Sequence, residues 1–219
     1  MKVIITGSTG MVGKGVLLEC LDDPKITEVL VINRSSLDLT HEKLTEMRLS
    51  DFTQIGDHAH DLGKYDGCFF CMGVSSAGMS EEKYRKLTYD TAIAFAKALH
   101  QANPNMVFNY VSGAGTDSSE NGRIMWARVK GKTENDILNM GFKGAYMFRP
   151  GMIIPERGIK SKTRLYQNIY VVMRPFFPLL RRMKSVVTTS MLGKAMIATL
   201  EVPKVGPVIN PKEIRALGA

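Results

Sequence analysis

Three glycines spaced three apart, Gly7, Gly10 and Gly13, follow the apolar run Val3-Ile4-Ile5 and open a helical pattern at Val12, Val16, Leu17, Leu18 and Leu21. A strand, a glycine turn and a helix in that order form the grip that a dinucleotide pyrophosphate needs. Gly7 lets the chain turn tightly off the strand, Gly10 removes the Cβ that would block a phosphate, and Gly13 lets the helix pack close to the sheet. The first N–H groups of the helix lack intrahelical acceptors and can hold negative charge. The candidate grip is therefore Gly7, Ser8, Thr9, Gly10, Met11, Val12 and Gly13.

Arg34 stands 21 positions after Gly13, at the end of a second apolar run, Val31-Ile32-Asn33. NAD-specific sites carry an acid in this region for the ribose 2′-hydroxyl, and that acid would repel a 2′-phosphate. An arginine instead binds the phosphate with a charged fork, joined here by the hydroxyls of Ser35 and Ser36. The expected cofactor is NADP(H) in preference to NAD(H).

Other reactive residue types lead nowhere comparable. Cys68 and Cys71 fall in a buried-strand pattern, where side chains three apart point to opposite faces and cannot converge. Asp57-His58-Ala59-His60-Asp61 reads as a solvated loop without a second ligand cluster, so no metal is expected.

The elements around these residues alternate. Strands are expected at Val3–Thr6, Val29–Asn33, Glu46–Leu49, Cys68–Met72, Val107–Ser112 and Ala145–Phe148, with helices near Met11–Leu21, Ser80–Ala102 and Ile124–Met140. Ser80 is a suitable N-cap, followed by Glu81 and Glu82 where the helix dipole favours acid. The connection 35–45 is left open between loop and helix. Such alternation implies an α/β fold: a Rossmann-type, doubly wound parallel sheet that binds ligands beyond the C-terminal ends of its strands.

At 219 residues the chain is expected to form one compact unit, a dinucleotide-binding region over 1–155 with a small C-terminal lobe over 156–219. No apolar run is long enough to span a bilayer, since Val171–Leu180 is broken by Arg174, Pro175 and Pro178. A strand at the N-terminus leaves no signal peptide to read, and a cytoplasmic location is expected.

Between Arg157 and Leu200 stand nine Lys or Arg and no Asp or Glu, so with a chain total of +8 the remainder sums to −1. The positive charge is local, which argues against a nucleic-acid-coating protein. Interleaved with Tyr166, Tyr170, Phe176 and Phe177, it suits an anionic small molecule, a protein partner or a membrane surface, or else a solvated helix face. Lys160, Lys162, Arg164, Arg174, Arg181, Arg182 and Lys184 are expected to converge on one surface.

With these residues in place, the chain resembles the short-chain dehydrogenase/reductase superfamily in its atypical, epimerase/dehydratase-like branch. It is most similar there to the Tat-interacting-protein group of NADPH-binding proteins. Thr6-Gly7-Ser8-Thr9-Gly10-Met11-Val12-Gly13 matches the branch's TGxxGxxG. The resemblance implies an adenine contact at Asp51-Phe52 and a small-residue turn beside the ribose at Cys71-Met72-Gly73. It implies a catalytic serine at Ser112 and a catalytic lysine at Lys130, which also binds ribose. It further implies that Phe148-Arg149-Pro150-Gly151 closes over the nicotinamide, with Pro150 and Gly151 at the cofactor. The likeness covers about residues 1–155 well.

One position departs from the family's Tyr-x-x-x-Lys. The segment reads Met125-Trp126-Ala127-Arg128-Val129-Lys130, so Trp126 replaces the tyrosine. A phenol can exchange a proton with a substrate oxygen; an indole N–H donates but does not titrate usefully. Two readings follow. One is an NADP(H)-dependent oxidoreductase or epimerase-like enzyme acting on a small carbonyl or hydroxyl compound, anionic ones included. The other is a catalytically weak NADPH-sensing regulator or interaction protein.

Overall fold

The computed structural model describes residues 1–159, 177–181, 183–202 and 204–219, with Pro178 described by its backbone alone. Strands β1 (Lys2–Thr6), β2 (Glu28–Asn33), β3 (Leu44–Arg48), β4 (Gly67–Phe70), β5 (Val107–Val111) and β6 (Gly144–Phe148) each match an expected strand to within two residues. After the short strands β7 (Met152–Ile154) and β8 (Val186–Thr188) comes β9 (Val208–Ile209), which pairs with β6. The main sheet has seven parallel strands in the order β3-β2-β1-β4-β5-β6-β9.

The inner strands β1, β2, β4 and β5 are buried almost throughout because both faces of the sheet are covered there, whereas the edge strand β3, Leu-Thr-Glu-Met-Arg, is largely exposed. Side chains alternate between two cores. Val3 and Ile5 point into one, with Val16 and Leu17 of helix α1 (Met11–Asp22). Ile4 points into the other. Helices α2 (Ala59–Leu62), α3 (Glu81–Arg85), α4 (Thr91–Ala102) and α5 (Met125–Leu138) follow, and Phe95 and Leu99 of α4 and Ile137 of α5 fill that second core. After α6 (Phe177–Leu180), helices α7 (Thr189–Ala198) and α8 (Pro211–Leu217) return to the first core through Leu192, Met196 and Ile214. The architecture is the Rossmann-type, doubly wound α/β fold.

Ser80 caps α3 as its sequence suggests, its hydroxyl accepting from Lys83 N–H at 3.4 Å. A π-turn over Lys86–Asp90 joins α3 to α4, so the helix expected over 80–102 is continuous but locally widened. The open connection after β2 contains no helix.

The C-terminal third adds to the same layers. Gly15 of α1 admits α7 so closely that a Cβ there would lie 2.6 Å from Thr189 Cβ. Gly193 does the same from the other side, against Glu19 and Val16. Among the described residues no helix is long and apolar enough to cross a membrane.

Of the basic residues expected to converge, Lys160, Lys162, Arg164, Arg174 and Arg182 lie outside the described residues, as do Tyr166, Tyr170 and Phe176. Arg157 pairs with Asp22 at 2.8 Å and Glu19 at 3.3 Å, and Arg181 with Glu156 at 3.0 Å. Those two charges are balanced locally.

Candidate functional site

A cleft of about 340 Å³ opens beyond the C-terminal ends of β1, β2 and β4. Gly7, Thr9, Gly10, Met11, Asn33, Arg34, Ser35, Phe52, Cys71, Met72 and Gly73 line it. Except for Asn33, every one of these was singled out from the sequence, and four separate segments converge to form the cleft.

The glycine turn is built by three different constraints. Gly7 has φ +69°, and a Cβ there would strike the Cys71 and Met72 backbone at 2.9 Å, so it is fixed by both conformation and space. Gly10 N–H closes the turn onto Gly7 O at 2.9 Å. A Cβ on Gly10 would meet only Gly7 O, at 3.3 Å among the described residues, and would otherwise enter the cleft. Gly13 does more than bring helix and sheet together. Its Cβ would lie 2.3 Å from Gly7 O, so it brings the first turn of α1 onto the glycine turn itself. Gly10 offers no side-chain cap and no acid stands in the first turn of α1.

Ser8 and Val12 do not line the cleft. Ser8 is fully buried, and its Oγ accepts from Asn33 Nδ2 at 2.8 Å, tying the glycine turn to the end of β2. Beyond Asn33, Arg34 is exposed and forms no ion pair among the described residues. Ser36 does not join it as expected. Its hydroxyl donates to Glu46 at 3.3 Å, and that carboxylate also accepts from Leu37 N–H. On the far wall Phe52 faces the cleft, whereas Asp51 caps the following 3-10 turn by accepting from Thr53 N–H and Oγ1 at 2.9 and 2.7 Å. Those bonds hold the Asp51 carboxyl below its ordinary range. Cys71 lines the cleft and packs toward the first core while Cys68 faces the second, so the two sulfurs point to opposite faces.

Ser112, Lys130 and Trp126 gather at the end of β5, outside the walls of that cleft. Lys130 and Trp126 stand one turn apart on α5. The Lys130 ammonium donates to Ser112 O at 2.6 Å and more weakly to Val111 O at 3.5 Å. Burial lowers its pKa to about 8, against the opposing pull of Glu134. The Trp126 ring edge lies over Gly115, where an added Cβ would come within 3.6 Å of it. Tyr110 on β5 is fully buried and its phenol is pushed well above the ordinary range by desolvation, which removes it as a substitute for the missing tyrosine.

The Ser112 hydroxyl points inward. It donates to the buried carboxylate of Glu134 and lies 3.1 Å from Phe148 O. Glu134, 1% exposed, also receives Arg149 Nε at 3.1 Å on each oxygen, and Arg149 Nη2 closes onto both Glu134 and Ser118. Pro150 and Gly151 are likewise engaged away from the cleft. Pro150 O accepts from Ala114 N–H at 2.9 Å, and Gly151 packs so tightly that a Cβ would sit 2.5 Å from Ser185 O.

No protein-family profile matches the sequence. Among individual proteins, the mitochondrial fmp52-1 of Aspergillus terreus is 30% identical over 163 residues, covering 71% of this chain and 68% of that one. The chain belongs to the Fmp52 and HTATIP2 family. HTATIP2 of Rattus norvegicus is 26% identical over 158 residues, covering 71% of this chain and 64% of its own. The chain therefore matches about two thirds of the length of its Fmp52 and HTATIP2 relatives. WbmF of Bordetella bronchiseptica, solved in complex with NAD+, has the same fold: TM-score 0.70 at 14% identity, covering 99% of this chain and 76% of that one. Its relatives place the chain among the atypical short-chain dehydrogenase/reductases, and its fold is the Rossmann-type α/β fold.

Sequence reasoning missed Asn33 and Glu134, and named Arg149 only as part of the loop over the nicotinamide, not as the partner of Glu134. Glu134 carried a signal, since it stands four residues after Lys130 on the same helical face. Arg149 carried another as a charge directly after the apolar strand β6. Asn33 carried none beyond its place at a strand end.

Proposed function

We propose that this protein binds NADP(H) in the cleft at the ends of β1, β2 and β4, and uses it for slow redox chemistry on a small carbonyl or hydroxyl compound. The observation that carries the reading is the glycine cradle, whose open side a Cβ on Gly10 would enter, with the guanidinium of Arg34, which forms no ion pair among the described residues, at its rim. The first N–H groups of α1 would hold the pyrophosphate, and Arg34 with Ser35 the 2′-phosphate. When bound, the nicotinamide supplies or accepts the hydride. Lys130 would hold ribose hydroxyls and Trp126 would narrow the substrate site. With no phenol there, the proton would come from solvent or from Ser112, once its hydroxyl turns from Glu134.

A second reading, an NADPH-sensing regulator, is favoured by one specific observation. The hydroxyl of Ser112 and the ammonium of Lys130 are both held by protein acceptors, Glu134 and the β5 carbonyls. In either reading the basic segment 157–200 offers an anionic substrate or partner a positively charged approach. Cys20, Cys68 and Cys71 are free thiols, which suits a reducing compartment such as the cytoplasm or the mitochondrial matrix.

Following NADPH oxidation against a panel of small carbonyl compounds in wild type and Trp126→Tyr separates the two. Slow turnover that rises in Trp126→Tyr with unchanged NADPH affinity supports the enzyme. Tight NADPH binding without turnover in either protein supports the regulator.

A further inference from the structure

The Ser112 hydroxyl faces two acceptors and no donor among the described residues. It donates to the Glu134 carboxylate, and Phe148 O, which already accepts from Ser112 N–H at 2.8 Å, stands 3.1 Å from it. Arg149 Nε donates to both Glu134 oxygens at 3.1 Å, so the carboxylate offers Ser112 an acceptor and no hydrogen. The neighbouring ammonium of Lys130 reaches the backbone oxygen of Ser112, at 2.6 Å, and not its hydroxyl. A serine hydroxyl carries one hydrogen and two lone pairs. Here the hydrogen is committed inward, and among the described residues nothing donates to the lone pairs. Ser112 is 9% exposed, and a Cβ on the adjoining Gly113 would meet nothing within 4 Å, so open space begins where β5 ends.

We propose that Glu134 is a positioning residue that fixes Ser112 as a hydrogen-bond acceptor, so that the substrate site recognises compounds through a hydroxyl rather than a carbonyl. This rests on the reading above, in which Ser112 faces the substrate. A ligand hydroxyl brings the donor that the serine oxygen lacks. A ligand carbonyl brings a third acceptor, and Ser112 must turn from Glu134 to meet it. That turn takes a hydrogen bond from a buried carboxylate and gives one to a neutral oxygen. Bonds to a charged acceptor are about twice as strong as neutral ones, so the exchange is unfavourable. The polarity of one hydroxyl thus sets which partner of a redox pair the resting site favours.

Matched compounds that differ in hydrogen-bond polarity and cannot react with NADP+ isolate the effect: tert-butanol with acetone, and 1-methylcyclohexanol with cyclohexanone. Each is titrated calorimetrically into the full chain saturated with NADP+. Wild type should bind the alcohol of a pair about threefold to tenfold more tightly than the ketone, the scale of one hydrogen bond. Ser112→Ala, which keeps the Glu134–Arg149 pair, should bring the two affinities together. In Glu134→Gln the amide N–H can donate to Ser112 Oγ and release its hydrogen, so the preference should fall or reverse. A merely structural glutamate would weaken both ligands and keep their ratio. If wild type binds NADP+ but favours the alcohol in neither pair, this inference alone falls. It falls equally if the wild-type ratio survives either substitution. Wild-type protein that binds no NADP+ overturns the inference together with the reading beneath it.

Discussion

Glu134 and Arg149 form a buried ion pair that locks the end of β6 to α5: Arg149 Nε lies 3.1 Å from each carboxylate oxygen of a glutamate that is 1% exposed. Ser112 at the end of β5 donates to the same carboxylate. Three neighbouring elements are thus pinned at one point, directly behind Lys130. Removing the arginine leaves a buried carboxylate whose one remaining hydrogen-bond donor among the described residues is the Ser112 hydroxyl, with the Lys130 charge acting on it at longer range. Arg149→Ala should cost about 3–5 kcal/mol of stability, read as a lower urea midpoint. A loss below about 1 kcal/mol would mean that water reaches Glu134 and the pair is not the lock described.

The glycines of the turn divide into two kinds. A Cβ on Gly13 would lie 2.3 Å from Gly7 O, against backbone that cannot yield, whereas a Cβ on Gly10 would extend mainly into the cleft. Gly13→Ala should therefore destabilise the protein by about 1–3 kcal/mol or more. Gly10→Ala should keep the wild-type melting temperature and lose dinucleotide affinity. Thermal melts with and without NADPH check both, and the reverse pattern would show that the roles are exchanged.

At the N-terminal ends of β1 and β2, opposite the cleft, Glu28 gathers Lys2 at 2.8 Å, Lys64 at 3.1 Å and the Tyr65 hydroxyl at 2.7 Å. Lys2 first, then Tyr65 and Lys64, bring its carboxyl down from the ordinary 4.5 to about 2. A carboxylate whose pKa is lower in the folded state stabilises the protein above its unfolded pKa and ceases to do so as pH falls through the folded one. Wild type should be more stable than Glu28→Gln above about pH 4.5, and the gap should close as pH falls toward 2. Denaturant melts across that range test it; a gap that stays constant would show that Glu28 does not titrate in this cluster.

Much of this site is legible in the sequence because local chemistry dictates it. Gly7 must adopt a positive φ, Ser80 must cap a helix, and unbroken apolar strands must be covered on both faces. The glycine turn and Arg34 follow from such local chemistry, whereas Phe52 and Cys71-Met72-Gly73 are placed at the cleft by the family resemblance. The C-terminal third is less legible because long-range contacts decide it. β9 is two residues long and is a strand only because β6 offers it an edge. α7 is placed by the bare surfaces of Gly15 and Gly193, which look like ordinary glycines in a helix. Ser112 shows the same limit at the site. Its identity suggests a group facing substrate, but a carboxylate 22 residues away turns its hydroxyl inward.

The central claim is that the cleft holds a dinucleotide and that Arg34 chooses the phosphorylated one. Calorimetric titration of NADPH and NADH into wild type and Arg34→Ala tests it most directly. Wild type should bind NADPH about tenfold to hundredfold more tightly than NADH, the scale of a charge-assisted hydrogen bond, and Arg34→Ala should bring the two affinities together. Equal affinities in wild type, or a preference that survives the loss of Arg34, would contradict it.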